Sequence, residues 1–128
     1  VKEAARLGIK IGFEYHHGTL TDTAEGAARL AEDTGAGLYW QPAGEKSAGE
    51  NIAEFGVVKP YSCGMLHIQN YTPENGYGML SEIRGNLVKY YDSIREEDFK
   101  LLIEFVKDGD PYNLIRDARV LGEIVQKN

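Results

Sequence analysis

The sequence predicts an α/β fold in which four parallel strands alternate with helices. Short apolar runs occupy residues 9–14, 37–41, 64–69 and 100–106, and segments with apolar residues at helical spacing follow them. The runs are apolar almost throughout, which is typical of parallel strands that helices cover. Four strand–helix units are half of an eight-stranded β/α barrel, so we expect residues 1–128 to form a single domain of this type.

The first half of the chain supplies two of the four units. Before the first strand, residues 4–7 present an apolar helical face that ends at Gly8, so the sequence opens inside a helix. We therefore expect the chain to be a fragment of a longer protein. After the first strand, Thr21 or Asp22 is predicted to cap a helix that continues to Gly35.

The second half of the chain supplies the other two units. Residues 43–50 are small and polar and are predicted to form a loop, and residues 51–55 a short helical turn. Residues 70–78 are rich in turn formers and aromatic side chains, as loops at active sites often are. A helix is expected from about residue 85 to 94, and the last helix is expected to begin at Pro111, after a capping aspartate.

The composition excludes several classes of protein. The formal net charge of −6 and the pI near 5.0 argue against a nucleic-acid binder, because phosphate binding depends on Lys and Arg. No apolar run approaches the ~20 residues of a membrane span, and no signal peptide is evident. The single cysteine, Cys63, has no partner in the chain for a disulfide, so we expect a cytoplasmic protein.

Four polar side chains stand at or near the ends of the predicted strands: Glu14, Gln41, His67 and Glu104. Since the carboxyl ends of parallel strands meet at one mouth, we expect these side chains to converge on a common point. Two carboxylates, an imidazole and an amide carbonyl favour a hard divalent cation. We therefore predict a metal site for Mn²⁺, with Mg²⁺ or Co²⁺ as alternatives.

These residues and their order resemble the xylose isomerase-like TIM-barrel superfamily, the sugar phosphate isomerase/epimerase group. In its sugar epimerases, strands five to eight each give one metal ligand, in the order Glu, Asp, His, Glu. Glu14 in Gly-Phe-Glu-Tyr-His matches the first ligand, His67 the third, and Glu104 in Leu-Ile-Glu-Phe-Val the fourth. Residues 117–121 also resemble the last helix of that family. The resemblance implies that the chain is the C-terminal half of such a barrel.

The second ligand departs from the family pattern. Gln41 stands where the family usually has Asp, and Gly44 stands where it has a His three positions later. An amide carbonyl can ligate a metal but brings no charge, so the site would either hold a cation more weakly or work without one.

The resemblance implies an enzyme that isomerises or epimerises a sugar or a sugar phosphate. A metal bridging the carbonyl and hydroxyl oxygens of the substrate would stabilise an enediolate after the α-proton leaves. Glu14 and Glu104 would be the catalytic acid and base on the two faces. His16 or His17 would bind substrate hydroxyls, with one of these neighbours facing the site. Trp40 would stack on the sugar or, alternatively, pack in the core between strand and helix.

Other functions are compatible with the same fold. A dehydratase or lyase of the superfamily also begins with α-proton abstraction, and a half-barrel lacking its other strands could be non-catalytic. The sheet edges and an inward apolar face carrying Ile11, Phe13, Leu102 and Ile103 would be left open. We therefore expect the chain, if it stands alone, to form a homo-oligomer.

Overall fold

The computed structural model describes residues 1–126 and contains a four-stranded parallel sheet. In chain order the strands are β1 Gly12–Glu14, β2 Gly37–Trp40, β3 Ser62–Ile68, β4 Tyr71–Thr72, β5 Gly76–Tyr77 and β6 Lys100–Ile103. The sheet has the order β1-β2-β3-β6, and every neighbouring pair in it is parallel. The predicted alternation of parallel strands with helices is therefore confirmed.

Helices occupy the connections between these strands. They are α1 Lys2–Arg6, α2 Ala24–Thr34, α3 Ala48–Val58, α4 Arg84–Asp92 and α5 Pro111–Gln126. Short 3₁₀ turns precede β3 and α4, and a third follows β6. None of the helices within residues 1–126 is both long and apolar enough to cross a membrane.

Three of the four sheet strands are shorter than the sequence predicts. The predicted strand 9–14 pairs only from Gly12 onward, and Ile9 is exposed, because the chain is still leaving the α1 turn at Gly8, where φ is +71°. The predicted strand 37–41 ends at Trp40, two residues before the proline at position 42. The predicted strand 100–106 stops at Ile103, although the Glu104 amide still donates to the Ile68 carbonyl at 3.2 Å.

The caps of α2 and α3 also differ from the prediction. The α2 cap is Thr23, whose hydroxyl accepts from the Gly26 amide at 3.1 Å, and not Thr21 or Asp22. Helix α3 is longer than residues 51–55, because Ser47 and Glu50 form a capping box and start it at residue 48.

Residues 70–78 form a β-hairpin and not an open loop. Strands β4 and β5 pair antiparallel, with Tyr71 opposite Tyr77 and Thr72 opposite Gly76. The turn contains Asn75-Gly76, and Gly76 has a φ of +67°, which this turn requires and which glycine adopts without strain. The prediction of a loop was wrong because this dipeptide favours a hairpin.

The core lies between the sheet and the helices, on one face of the sheet. Side chains of β2 and β3 that point to this face are buried among residues of α2, α3, α4 and α5. Phe13 and Ile103 pack against this core, so the prediction that they lie on the open face was wrong. Strand alternation places them opposite Glu14 and Leu102. Leu102 is 48% exposed, as expected for the open face.

Candidate metal centre and cleft

Three of the four predicted ligands meet at the carboxyl ends of their strands. His67 Nδ1 lies 3.3 Å from Glu14 Oε1 and 3.3 Å from Glu104 Oε2. One ligand atom from each residue lies within 4.8 Å of the other two. We call Glu14, His67 and Glu104 the triad. Strands β1, β3 and β6 each deliver one member, because a polar residue stands at or next to the end of each strand.

The three facing atoms of the triad are buried and lack hydrogen-bond partners among residues 1–126. Buried polar atoms without partners are costly, so their clustering calls for a ligand. Metal–ligand bonds of about 2.1 Å at angles of about 90–109° separate neighbouring ligand atoms by about 3.0–3.4 Å. The two separations from His67 Nδ1, 3.3 Å each, fall in this range, and the separation between the Glu14 and Glu104 ligand atoms is at most 4.8 Å. The donor set and its spacing therefore fit a divalent cation.

Burial and charge change the acidity of one carboxyl in the triad. Burial raises the pKa of Glu104 above its ordinary value, and the negative charge of Glu14 raises it further, while His67 opposes the shift. Tyr39, on the open face beside His67 with ring centroids 4.8 Å apart, also has a raised pKa, mainly through burial and then through Glu14. A second negative charge is therefore unfavourable at the triad, and a cation would relieve it.

Gln41 lies at the end of β2 and lines a cleft beside the triad. It is buried, and its carbonyl oxygen accepts a hydrogen bond from Gln69 Nε2 at 3.2 Å. The amide pair of Gln41 and Gln69 thus presents polar groups to the cleft. Its role as a fourth metal ligand stays a prediction.

Both His16 and His17 line the cleft, where we expected one of them to do so. The turn after β1 tightens here: His16 Nδ1 lies 2.8 Å from the His17 carbonyl oxygen, and Thr19 Oγ1 donates to the His16 carbonyl at 2.7 Å. Thr21 Oγ1 reaches back to the carbonyl of Glu14. This turn directs the two adjacent side chains to the same cleft.

Trp40 does not line the cleft, and the prediction that it stacks on substrate was wrong. Its side chain is 1% exposed and lies in the core, with ring centroids 5.0 Å from Phe55 and 5.8 Å from Tyr90. Its neighbour Gln41 faces the cleft, and adjacent positions along a strand point to opposite faces. Trp40 is therefore a packing residue.

Sequence reasoning missed the aromatic side of the cleft. The cleft has a volume of about 610 Å³, and Tyr71, Tyr77 and Phe105 line it together. We call these three residues the aromatic wall. The Asn75-Gly76 turn, with Tyr71 and Tyr77 on its two arms, was the signal that could have revealed it.

Lys46, which lines the cleft, forms an ion pair with Glu54. Lys46 Nζ lies 2.7 and 2.8 Å from the two carboxylate oxygens of Glu54. Tyr15 donates its hydroxyl to the same carboxylate at 3.0 Å, and burial together with this bond raises the pKa of Tyr15. The positive charge of Lys46 is therefore already compensated.

Comparison of the sequence and structure with family models, curated proteins and solved structures gives no significant match. The resemblance to the xylose isomerase-like superfamily thus rests on the order and spacing of the ligand residues and stays a prediction.

Proposed function

We propose that this chain carries the metal-binding and proton-transfer residues of a sugar isomerase or epimerase. The observation that carries the proposal is the triad: three buried ligand atoms that make no hydrogen bond, brought together by three parallel strands, beside an open cleft. Such a combination of perturbed ionisable groups and a cavity is typical of catalytic sites.

Glu14, His67 and Glu104 would hold the divalent cation, and their two carboxylate oxygens and one imidazole nitrogen are compatible with Mn²⁺. Gln41 would add a neutral oxygen. A bound cation would polarise the carbonyl and neighbouring hydroxyl oxygens of the substrate.

The two carboxylates would move the proton. One accepts the hydrogen from the carbon next to the carbonyl, the C–H electrons form the enediolate, and the other carboxylic acid returns a proton to the opposite face. Burial raises the pKa of Glu104 towards the working range of a general acid or base, and a bound cation would oppose this shift. His16 and His17, which line the same cleft, would donate hydrogen bonds to substrate hydroxyls.

The fold supports the interpretation of the chain as a half-barrel. Its parallel sheet carries helices on one face, and the triad lies on the other face, where a barrel interior would be. We infer that a second unit, either further strands of the same protein or a second copy, covers this face in the active enzyme.

Solvent exchange tests the function. Mn²⁺-loaded protein is incubated in D₂O with free ketoses and their phosphate esters, and deuterium at the carbons flanking the carbonyl is followed by NMR. With the homo-oligomer that covers the open face, we expect exchange for wild type and loss of exchange for Glu104→Gln, while Glu45→Gln, which removes an exposed cleft carboxylate outside the triad, retains it.

The position of the deuterium and the products distinguish the alternatives. Exchange with inversion at one carbon identifies an epimerase, transfer to the neighbouring carbon an isomerase, and loss of water a dehydratase. Failure of the wild-type protein to bind Mn²⁺ in an electron paramagnetic resonance titration would contradict the proposal regardless of activity.

A further inference from the structure

The aromatic wall is a row of three exposed rings, in which Tyr77 is stacked on Phe105 and the Tyr71 ring is tilted by 46° to that of Tyr77. The Tyr77 and Phe105 centroids are 4.5 Å apart with planes inclined by 28°, and Tyr71 and Tyr77 are 5.0 Å apart. The three side chains are 40, 39 and 45% exposed for Tyr71, Tyr77 and Phe105. Large aromatic side chains left exposed together in a cleft are typical of a binding surface.

The hairpin that carries two of these rings is held rigidly. The Gly78 amide donates to the Asn70 carbonyl at 2.8 Å, and Asn70 Nδ2 donates to the Met79 carbonyl at 2.9 Å. The loop after β2 packs against the hairpin so closely that a Cβ on Gly44 would stand 1.6 Å from the Tyr71 carbonyl oxygen. The wall is therefore formed before any ligand binds.

The wall lies directly beside the triad. Phe105 follows Glu104 in sequence, and the hairpin begins at Tyr71, shortly after the β3 ligand, His67. Tyr71, Tyr77 and Phe105 line the same cleft as Glu104. A ligand resting on the wall would thus place polar groups at the triad.

The charge of the cleft determines which ligand the wall suits. A divalent cation offsets the two carboxylates of the triad, but Asp22 and Glu45 also line the cleft. Among the Lys and Arg residues that the structure describes, Lys46 alone lines the cleft, and its ammonium group forms an ion pair with Glu54. The carboxylates of the lining therefore outnumber its uncompensated Lys and Arg side chains, and this excess disfavours a phosphate dianion.

We propose that Tyr71, Tyr77 and Phe105 form a stacking subsite for the apolar C–H face of an uncharged sugar ring, and that the acidic lining discriminates against phosphate esters. This inference rests on the proposed function and narrows it to free sugars. The amides of Gln41 and Gln69, on the same cleft, suit the hydroxyl groups of such a ring.

Binding measurements test the inference. D-fructose and D-ribulose, each paired with its terminal phosphate ester, are titrated into the protein by calorimetry, with and without Mn²⁺, because stacking does not require the cation. We expect each free sugar to bind at least about tenfold more tightly than its ester. Tyr77→Ala should weaken free-sugar binding by about tenfold, the effect of exposing a ring-sized apolar contact. Tyr112→Ala, an exposed tyrosine outside the cleft lining, is the matched control.

Three results would overturn the inference. They are equal or tighter binding of the esters, unchanged free-sugar affinity in Tyr77→Ala and in the Tyr71→Ala/Tyr77→Ala double variant, and no saturation by either free sugar up to ~100 mM. Mn²⁺ affinity is measured on the same samples. Intact Mn²⁺ binding with any of these results refutes the aromatic subsite alone, whereas loss of Mn²⁺ binding in wild type refutes the proposed function.

Discussion

Glu104→Gln separates a cation site from an ordinary ion-pair network. The substitution keeps the shape of the side chain and removes one of the two carboxylates that face His67 Nδ1 at 3.3 Å. MnCl₂ at about 100 times its dissociation constant stabilises a protein by about 2.7 kcal/mol. For a chain of 128 residues this corresponds to a rise in Tm of about 10 °C.

The variant should lose nearly all of this stabilisation. Changes outside the ligand shell already weaken metal binding by about 10–100-fold, so loss of a charged ligand is expected to cost at least about 100-fold. At the same MnCl₂ concentration the stabilisation then falls to about 0.4 kcal/mol, or ~1–2 °C. Glu45→Gln, which removes a cleft carboxylate outside the triad, should retain the wild-type response.

Without Mn²⁺, the Glu104→Gln substitution should not lower the Tm of the protein. The folded state raises the pKa of Glu104, so its charged form costs stability as the pH rises above the unfolded value, and that cost is present at neutral pH. Glu104→Gln removes the cost and should leave the metal-free Tm unchanged or higher. Differential scanning fluorimetry measures the Tm of wild type and of Glu104→Gln, each with and without MnCl₂. If MnCl₂ leaves the wild-type Tm unchanged and the metal-free variant is less stable than wild type, the cation site is refuted and a structural His–carboxylate pair is indicated.

Further predictions concern the neighbours of the triad and the open face. Gln41→Glu should tighten Mn²⁺ binding severalfold by adding a charge without shortening the side chain; an unchanged titration would show that Gln41 is not a ligand. Gly44→Ala should destabilise the protein by about 1–3 kcal/mol in urea unfolding, because its Cβ meets the Tyr71 carbonyl. Asp117 Oδ1 accepts a hydrogen bond from the Leu80 amide at 2.9 Å, and burial raises the pKa of this carboxyl. Its contribution to stability is therefore greatest below the pKa of the unfolded state and falls as the pH rises through the pKa of the folded state. Asp117→Asn should therefore be more stable than wild type at pH 7 in urea unfolding, with the difference vanishing at low pH; equal pH profiles would contradict this. Light scattering on the isolated chain should show a homo-oligomer that covers the open sheet face, and a well-folded monomer would show that this face tolerates water.

The sequence was sufficient to predict the parallel sheet and the meeting of three ligands. Near-continuous apolar runs identify parallel strands, and a polar residue at the end of each strand can be located without knowing the register. Glu14, His67 and Glu104 come together because parallel strands put their carboxyl ends at one edge, whatever the length of each strand.

Strand ends and side-chain faces were harder to predict because they depend on packing outside the strand. Ile9 is apolar and yet exposed, since the turn at Gly8 delays pairing until residue 12. The assignment of both Trp40 and Gln41 to the cleft conflicted with the two-residue period of a strand, and the core accommodated the larger apolar ring. Gly44 stands where the family pattern has a histidine, and the structure gives a local reason: the hairpin backbone leaves no room for a side chain there.

The same strands that deliver the triad continue into the aromatic wall. Strand β3 supplies His67 and leads into the hairpin, and β6 leads directly into Glu104 and then Phe105. The triad and the surface proposed to bind the ring are thus fixed to one another through short lengths of backbone. A ring placed on the wall would be oriented at the triad without a closing motion, and this is the condition under which positioning lowers a barrier. If the proposed function holds, substitutions in the hairpin should change which sugar binds while leaving the triad in place.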